Sequence, residues 1–412
     1  MVKRLGDVCT LKARIGWQGL TTAEYQQHGE YQLVTGTDFT KGKIEWNKCV
    51  FVSKNRFDQD RHIQVRIGDV LVTKDGTIGK VAIVGEHPFP TTLNSGIFLI
   101  RSTQSNLSNK FVGLSLFSEV FDKFLAQLSA GSTINHLYQK DFVNFTFSTP
   151  PTLEEQEAIA NVLTDADNLI QSLEALIKKK RDIKQGAMQS LLTGKIRLPG
   201  FGNAEKFKHT EVGVIPEDWV VKRLGELVKT SRGASPRPID SPIWFSNDGL
   251  VGWVRISDVT QSKRFLRNTT QRLSDDGIRQ SRFVPSASLI MSICATVGRP
   301  IITLVDTCIH DGFVHFSNLE NISQSFLYYV LAFIETSWSK AGQTGSQMNL
   351  NTTLINNRVV VLPPTLEEQE AIANVLTTMD EDIEKLESRL TKTQDIKQGM
   401  MQQLLTGQIR LI

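Results

Sequence analysis

The sequence predicts an α+β protein in which two mixed α/β units alternate with two long helices, arranged as an internal repeat with pseudo-twofold character. Three observations lead there. PPTLEEQEAIANVLT at 150–164 returns letter for letter at 363–377, and the register holds to IRL at 196–198 and 409–411. Aligning 150–198 on 363–411 at a constant offset of 213 gives 34 identities in 49 positions without a gap. The stretches before each copy, 1–149 and 213–362, share only short echoes: VKRLGDV (2–8) with VKRLGEL (221–227), VTGTDFT (34–40) with VRISDVT (254–260), and Gly131-Ser-Thr-Ile-Asn135 with Gly345-Ser-Gln-Met-Asn349. A period near half of 412 residues means two copies of one large unit, not a solenoid of short repeats.

Residues 1–149 read as mixed α/β. Short β-type runs occur at 31–36, 70–74, 80–85 and 97–102, and helical spacing of apolar residues follows at about 110–129. The segment 150–198 reads as a helical spacer. Thr152 with Glu155, and Thr365 with Glu368, have the Thr-x-x-Glu spacing of a capping box, and Gly194 and Gly407 sit where a helix stop belongs. Gly186 and Gly399 are candidate earlier bends. Leu163, Ala166, Ile170, Leu173 and Ile177 alternate spacings of three and four, as do Leu376, Met379, Ile383, Leu386 and Leu390. That is a coiled-coil seam with charged residues on its outer face, some 60 Å long at 1.5 Å per residue. Two ordinary amphipathic helices, each buried in its own domain, are the plainer alternative. The Gly-, Pro- and charge-rich stretch 199–212 reads as a linker, 213–362 replays the first globular unit, and 363–412 replays the spacer.

Composition is that of an ordinary globular protein, 40% hydrophobic and 22% charged. The opening MVKRLGDV lacks a signal-peptide core and no apolar run reaches membrane length, so a cytoplasmic protein without membrane contact is expected. Cys9, Cys49, Cys294 and Cys308 form no CxxC pair, which predicts reduced thiols. Basic residues exceed acidic ones by four in 1–149 and by three in 213–362, whereas 363–412 carries four surplus acids. That partition favours nucleic acid on the globular units and protein on the helices.

Motifs of catalysis are missing. KDGTIGK at 74–80 resembles a phosphate loop, but Lys74 stands where glycine is needed and Val81 where a Mg²⁺-binding hydroxyl is needed. The chain has no Asn/Asp-Pro-Pro-aromatic tetrapeptide of the kind that holds a flipped base in amino-group DNA methyltransferases. The seven histidines show no metal-ligand spacing. Glu154, Glu155 and Glu157 fall on a first helical turn, where they complement the helix dipole. No catalytic residue, metal or cofactor site is expected in this chain.

With PPTLEEQEAIANVL, DIKQGAMQSLLTGKIRL, their second-half counterparts and GVIPEDWVVKRLGEL (213–227), the chain resembles the specificity subunit of Type I restriction–modification systems over essentially its full length. The first unit departs from the pattern in lacking the GVIPEDW lead-in, as if a ring of units were cut at one point. The resemblance implies that the globular units are target-recognition domains, each reading one half of a bipartite double-stranded DNA site. It implies that the helices form an antiparallel coiled coil, which spaces the domains and docks two modification subunits. Those subunits would carry S-adenosylmethionine and methylate adenine, with separate motor-nuclease restriction subunits. Phosphate contacts need Lys, Arg and backbone amides, and base reading needs side chains with paired hydrogen-bonding groups. The candidates in the first unit are Lys12, Arg14, Lys41, Lys43, Lys74, Thr77 and Lys80, with Ser132, Thr133, Asn135 and His136 for base edges. In the second they are Arg232, Arg237, Lys263, Arg264, Arg267 and Arg299, with Gln343, Thr344, Ser346, Gln347 and Asn349. Competing readings are the specificity part of another phage-defence methylation system, a structural scaffold without DNA binding, and a stand-alone methyltransferase or nuclease.

Overall fold

The computed structural model describes residues 1–129, 136–202, 206–338 and 350–411. Compactness groups the chain into two units, Met1–Ala175 with Ser388–Ile412, and Leu176–Glu387. Each takes one globular region together with the opening of one long helix and the closing part of the other.

The first unit is built on a four-stranded antiparallel sheet in the order Cys9–Lys12, Ile97–Ser102, Val70–Thr73, Val81–Ile83. Val70–Thr73 is buried at every position. Its alternate side chains enter two different cores: Val70 and Val72 pack with Phe98, Phe111, Phe121 and Phe142, while Leu71 packs with Val34, Ala82 and Leu99. A strand covered on both faces is why the run reads as continuously apolar. A three-stranded sheet, Val50–Val52, Tyr31–Val34, Thr91–Leu93, lies in the same unit, its last pair parallel. All four sequence-predicted strands are present. The single helix expected at about 110–129 is two, Asn109–Ser115 and Glu119–Ser129. The break follows from Ser118, whose hydroxyl donates to the Ser115 carbonyl at 2.7 Å, from Leu116, whose amide is shared between the Val112 and Gly113 carbonyls, and from Phe117, which bonds back by three residues to Leu114.

The second unit repeats the plan. Its sheet orders Lys229–Arg232, Phe313–Ser317, Leu289–Ser292, Pro300–Thr303 and Phe265–Leu266, the last pair parallel. A four-stranded sheet, Gln271–Arg272, Gly252–Val254, Thr307–Ile309, Arg282–Val284, accompanies it. The stretch read as a linker carries a strand, Phe207–Thr210, which forms a hairpin with Gly213–Pro216.

The long helices are Leu153–Leu191 and Leu366–Thr406. Both run through Gly186 and Gly399 and stop before Gly194 and Gly407, whose φ values of 70° and 76° are left-handed. Only half of each predicted capping box forms. Thr152 and Thr365 hydroxyls accept from the Glu155 and Glu368 amides at 3.3 Å. The carboxylates have stronger partners: Glu155 grips Arg410 through two oxygens, and Glu368 binds Arg197 at 2.9 and 2.6 Å. Of the seam residues, Leu163, Leu173, Ile177, Leu376 and Ile383 are buried, and Ala166, Ile170, Met379, Leu386 and Leu390 are partly so.

A buried glutamine welds each globular region to its helix. Gln156 accepts from the Ser108 amide at 2.9 Å and donates to the carbonyls of Asn106 and Pro150 at 3.0 and 3.1 Å. Gln369 does the same with Ser323, Asn321 and Pro363 at 2.9, 3.1 and 3.1 Å. Among the described residues, no helix is long and apolar enough to cross a membrane.

Candidate nucleic-acid interface

Sheet topology decides which loops share an edge. Cys9–Lys12 and Val70–Thr73 both run antiparallel to Ile97–Ser102, so both finish at the end where that strand begins. Lys12, the 74–80 turn and the 94–96 turn therefore gather at one sheet edge. The Lys74 amide donates to the Gly96 carbonyl at 2.9 Å, and the Leu137 amide to the Lys74 carbonyl at 2.7 Å. His136 is brought in by a backbone bridge to Asp75 and a short side-chain contact with its carboxylate. Lys12, Thr77 and Lys80 are exposed there, while Lys74 lies over the Phe98 ring at 5.4 Å. The turn joins two antiparallel strands rather than a strand and a helix, so it lacks the frame of a phosphate loop.

The second unit builds the same edge with different groups. Lys229–Arg232 and Leu289–Ser292 both run antiparallel to Phe313–Ser317. The Ile293 amide donates to the Gly312 carbonyl at 2.8 Å, and Leu350 closes the edge on the Ile293 carbonyl at 3.0 Å, as Leu137 does on Lys74. At its centre is Asp311, which sequence reasoning missed. Its carbonyl accepts from Arg232 Nε at 2.8 Å, its carboxylate accepts from the Ser235 hydroxyl at 2.8 Å, and Arg237 lies 3.9 Å away. The Ser235 hydrogen bond holds the Asp311 carboxyl below the usual aspartate range, against its partial burial. Burial pushes His310 below the usual histidine value. Gly233 is required beside it: a Cβ there would stand 2.0 Å from the His310 carbonyl oxygen.

Several candidates lie elsewhere. Arg14 is 1% exposed, and its guanidinium donates to the Leu93 and Arg56 carbonyls, Gln59 and Thr92 at 2.8–3.2 Å. It is a framework group rather than a phosphate contact. Arg264 is 7% exposed, donates to Tyr329, Thr377 and Ser325, and sits among the rings of Phe265, Tyr328 and Tyr329. Lys41 binds Glu174, Lys43 binds Gln171 at 2.9 Å and Lys263 binds Glu387, so all three tie a globular corner to a long helix of their own unit. Glu174 and Glu387 occupy equivalent helix positions, so both units use one anchor. Arg299 donates to the Ser262 carbonyl at 3.1 Å, and Arg267 is exposed near the Phe265 ring. Ser132, Thr133, Asn135, Gln343, Thr344, Ser346, Gln347 and Asn349 lie outside the described residues.

Beside these anchors each unit holds a cleft against its helix segments. The first, of about 710 Å³, is lined by Asp167, Glu174 and Lys397, and the second, of about 450 Å³, by the equivalent Asp380, Glu387 and Lys184. Lys397 pairs with Asp167 at 2.6 Å and Lys184 with Asp380 at 2.5 Å. The two units thus present equivalent helix surfaces and unlike loop edges. Among the described residues no group of three or more His, Cys, Asp or Glu could hold a metal ion. The four cysteines are free, and burial pushes the thiols of Cys9, Cys49 and Cys308 up to about 12.

A profile of the Type I restriction modification DNA specificity domain matches residues 1–181 and again 216–393. The chain belongs to that family. Among members of the Type I specificity family, the putative MjaX specificity subunit of Methanocaldococcus jannaschii is 27% identical over 95% of this chain and 90% of its own length. The MjaVIII specificity subunit of the same organism is 28% identical over 85% and 81%. In fold, the chain is similar to a Type I restriction–modification S subunit from M. genitalium, with a TM-score of 0.61 at 14% identity over 98% of this chain and 96% of that one.

Proposed function

We propose that this chain is the DNA-specificity subunit of a Type I restriction–modification complex, a recognition scaffold rather than a catalyst. The observation that carries the reading is the doubled contrast: equivalent sheet edges with different exposed groups, on helices whose surfaces repeat. The edge with Lys12, Thr77, Lys80 and His136 would read one half of a bipartite site, and the edge with Arg232, Arg237 and Asp311 the other. The long helices would form an antiparallel coiled coil. Within the first unit, the pairs Glu155–Arg410 and Asp167–Lys397 advance along one repeat segment as they retreat along the other, which supports that direction. Helices of roughly 60 Å exceed one DNA turn, about 34 Å, so an unread gap between the half-sites is expected. Two modification subunits, each bringing S-adenosylmethionine, would methylate adenine, and restriction subunits would cut unmodified DNA in the cytoplasm.

Co-expression with a modification subunit, followed by mapping of methylated adenines, tests this. A split motif with an unread gap is expected. Assembly without any sequence-dependent methylation would refute the reading and favour a structural scaffold.

A further inference from the structure

The two long helices stop in the same way. The Gly194 and Gly407 amides donate to the Leu191 and Leu404 carbonyls at 3.3 Å, and the Ile196 and Ile409 amides to those of Ser190 and Gln403 at 3.2 Å. Three residues after each glycine an arginine clasps a glutamate on the opening turn of the other helix copy, Arg197 with Glu368 and Arg410 with Glu155. The same receptor is therefore built twice, once in each unit.

In the second unit one tetrapeptide, 216–219, fills it. A Cβ added at Gly194 would stand 2.5 Å from the Pro216 ring and 3.3 Å from that of Trp219. The Asp218 carboxylate takes another side of Arg197 at 2.8 Å. Trp219 is fully buried, in one core with Leu191, Leu192 and Leu224. The strand Val220–Arg223 leads on from it, with Lys222 opposite Val360. Its counterpart Val2–Arg4 sits in the same register, with Lys3 opposite Phe147.

In the first unit the receptor is open. A Cβ at Gly407 would meet nothing within 4 Å. The Arg410 side chain is 57% exposed, against 8% for Arg197. Val2 is exposed where Val221 is half-buried. Beside them lies a pocket of about 210 Å³ whose walls include Thr149, Pro150, Leu404 and Leu405. Small-molecule sites begin at roughly 300 Å³, so this one suits a single large side chain.

We propose that this pocket is a peptide-binding site, taking a Pro-x-Asp-Trp segment of a partner polypeptide as the second unit takes its own residues 216–219. The second unit identifies the occupant, because it shows what fits each wall: a proline ring on the glycine, a carboxylate on the arginine and an indole on the paired leucines. The open side of Arg410 supplies the matching charge. A bound segment would cover the exposed start of Val2–Arg4 and secure it to the helix stop. The site is independent of the DNA reading proposed above.

The test titrates the full-length chain with a synthetic peptide of residues 213–219, Gly-Val-Ile-Pro-Glu-Asp-Trp. Calorimetry reads affinity, and a photoreactive analogue in place of the tryptophan locates the site. One peptide should bind per chain, raise the melting temperature, and crosslink to 404–407 and 148–151. In the peptide, Trp219→Ala should weaken binding about thirtyfold and Asp218→Ala about threefold. Glu217→Ala should change nothing, since that side chain faces solvent in the second unit. No binding at millimolar peptide, or equal binding by the Trp219→Ala peptide, overturns the site. Crosslinks to 191–194 overturn it too, because the peptide would then be displacing the chain's own segment. A chain that forms dimers in the ultracentrifuge, dissociated by the peptide, overturns the partner and makes a second copy the occupant.

Discussion

Lys12 and Arg14 stand two residues apart and have opposite roles. Lys12 ends a strand whose burial alternates, and points to solvent. The strand stops there, so the period-two phase that sequence can follow stops with it. The next turn of chain carries Arg14 into a nest of carbonyls that no local pattern announces. Arg14→Ala should therefore destabilise the fold by about 3 kcal/mol, removing hydrogen bonds to a buried charge and leaving acceptors unpaired, as urea denaturation would show. Lys12→Ala should leave stability unchanged and reduce the salt dependence of DNA binding by about one phosphate contact. In the second unit, Asp311 has a depressed pKa, chiefly through Ser235. Its contribution to loop order is thus present above the ordinary aspartate range and is lost as pH falls through its lowered value. Binding to the second half-site should weaken only in that acid window, whereas Asp311→Asn should weaken it at every pH.

At the scale of elements, the long helices were the most legible part of the chain. Thr-x-x-Glu, the three-four spacing and the glycine stops anticipated Leu153–Leu191 and Leu366–Thr406 closely. Their clasps were not legible, because Arg197 and Arg410 lie 171 and 255 residues from the glutamates they hold. No window of sequence contains both partners. Glu368 is 1% exposed, and its loss leaves Arg197 with the half-exposed Asp218 as its remaining carboxylate. Glu368→Gln should cost about 2 kcal/mol in denaturant titrations, since it weakens the hydrogen bonds to a buried charged group that keeps Asp218 as a second partner. Arg410 lowers the Glu155 pKa. That clasp stabilises above the ordinary glutamate range, and its contribution is lost as pH falls through the depressed value. Lys41, Lys43, Lys263 and Arg264 show the same limit. Composition identifies them as cations, but only the fold shows that helix side chains claim them.

For the molecule as a whole, the repeat carried the architecture: two globular regions and two long helices follow from one offset of 213 in the sequence. How the chain is shared between compact units was not visible, since each unit draws on both helices. The loop edges were half visible. The turn at 74–80 and the arginines 232 and 237 were found from charge and glycine placement, whereas Asp311 and Asp75 matter through neighbours distant in sequence.

The central claim is that each edge reads one half-site independently. Charge reversal of Arg232 and Arg237 in one variant, and of Lys12 and Lys80 in another, tests it most directly, with methylated adenines mapped after co-expression with the modification subunit. The first variant should relax or abolish one half of a split motif and the second the other half, each leaving the opposite half intact. If either variant disturbs both halves alike, or neither disturbs any, the two edges are not independent readers and the account is contradicted.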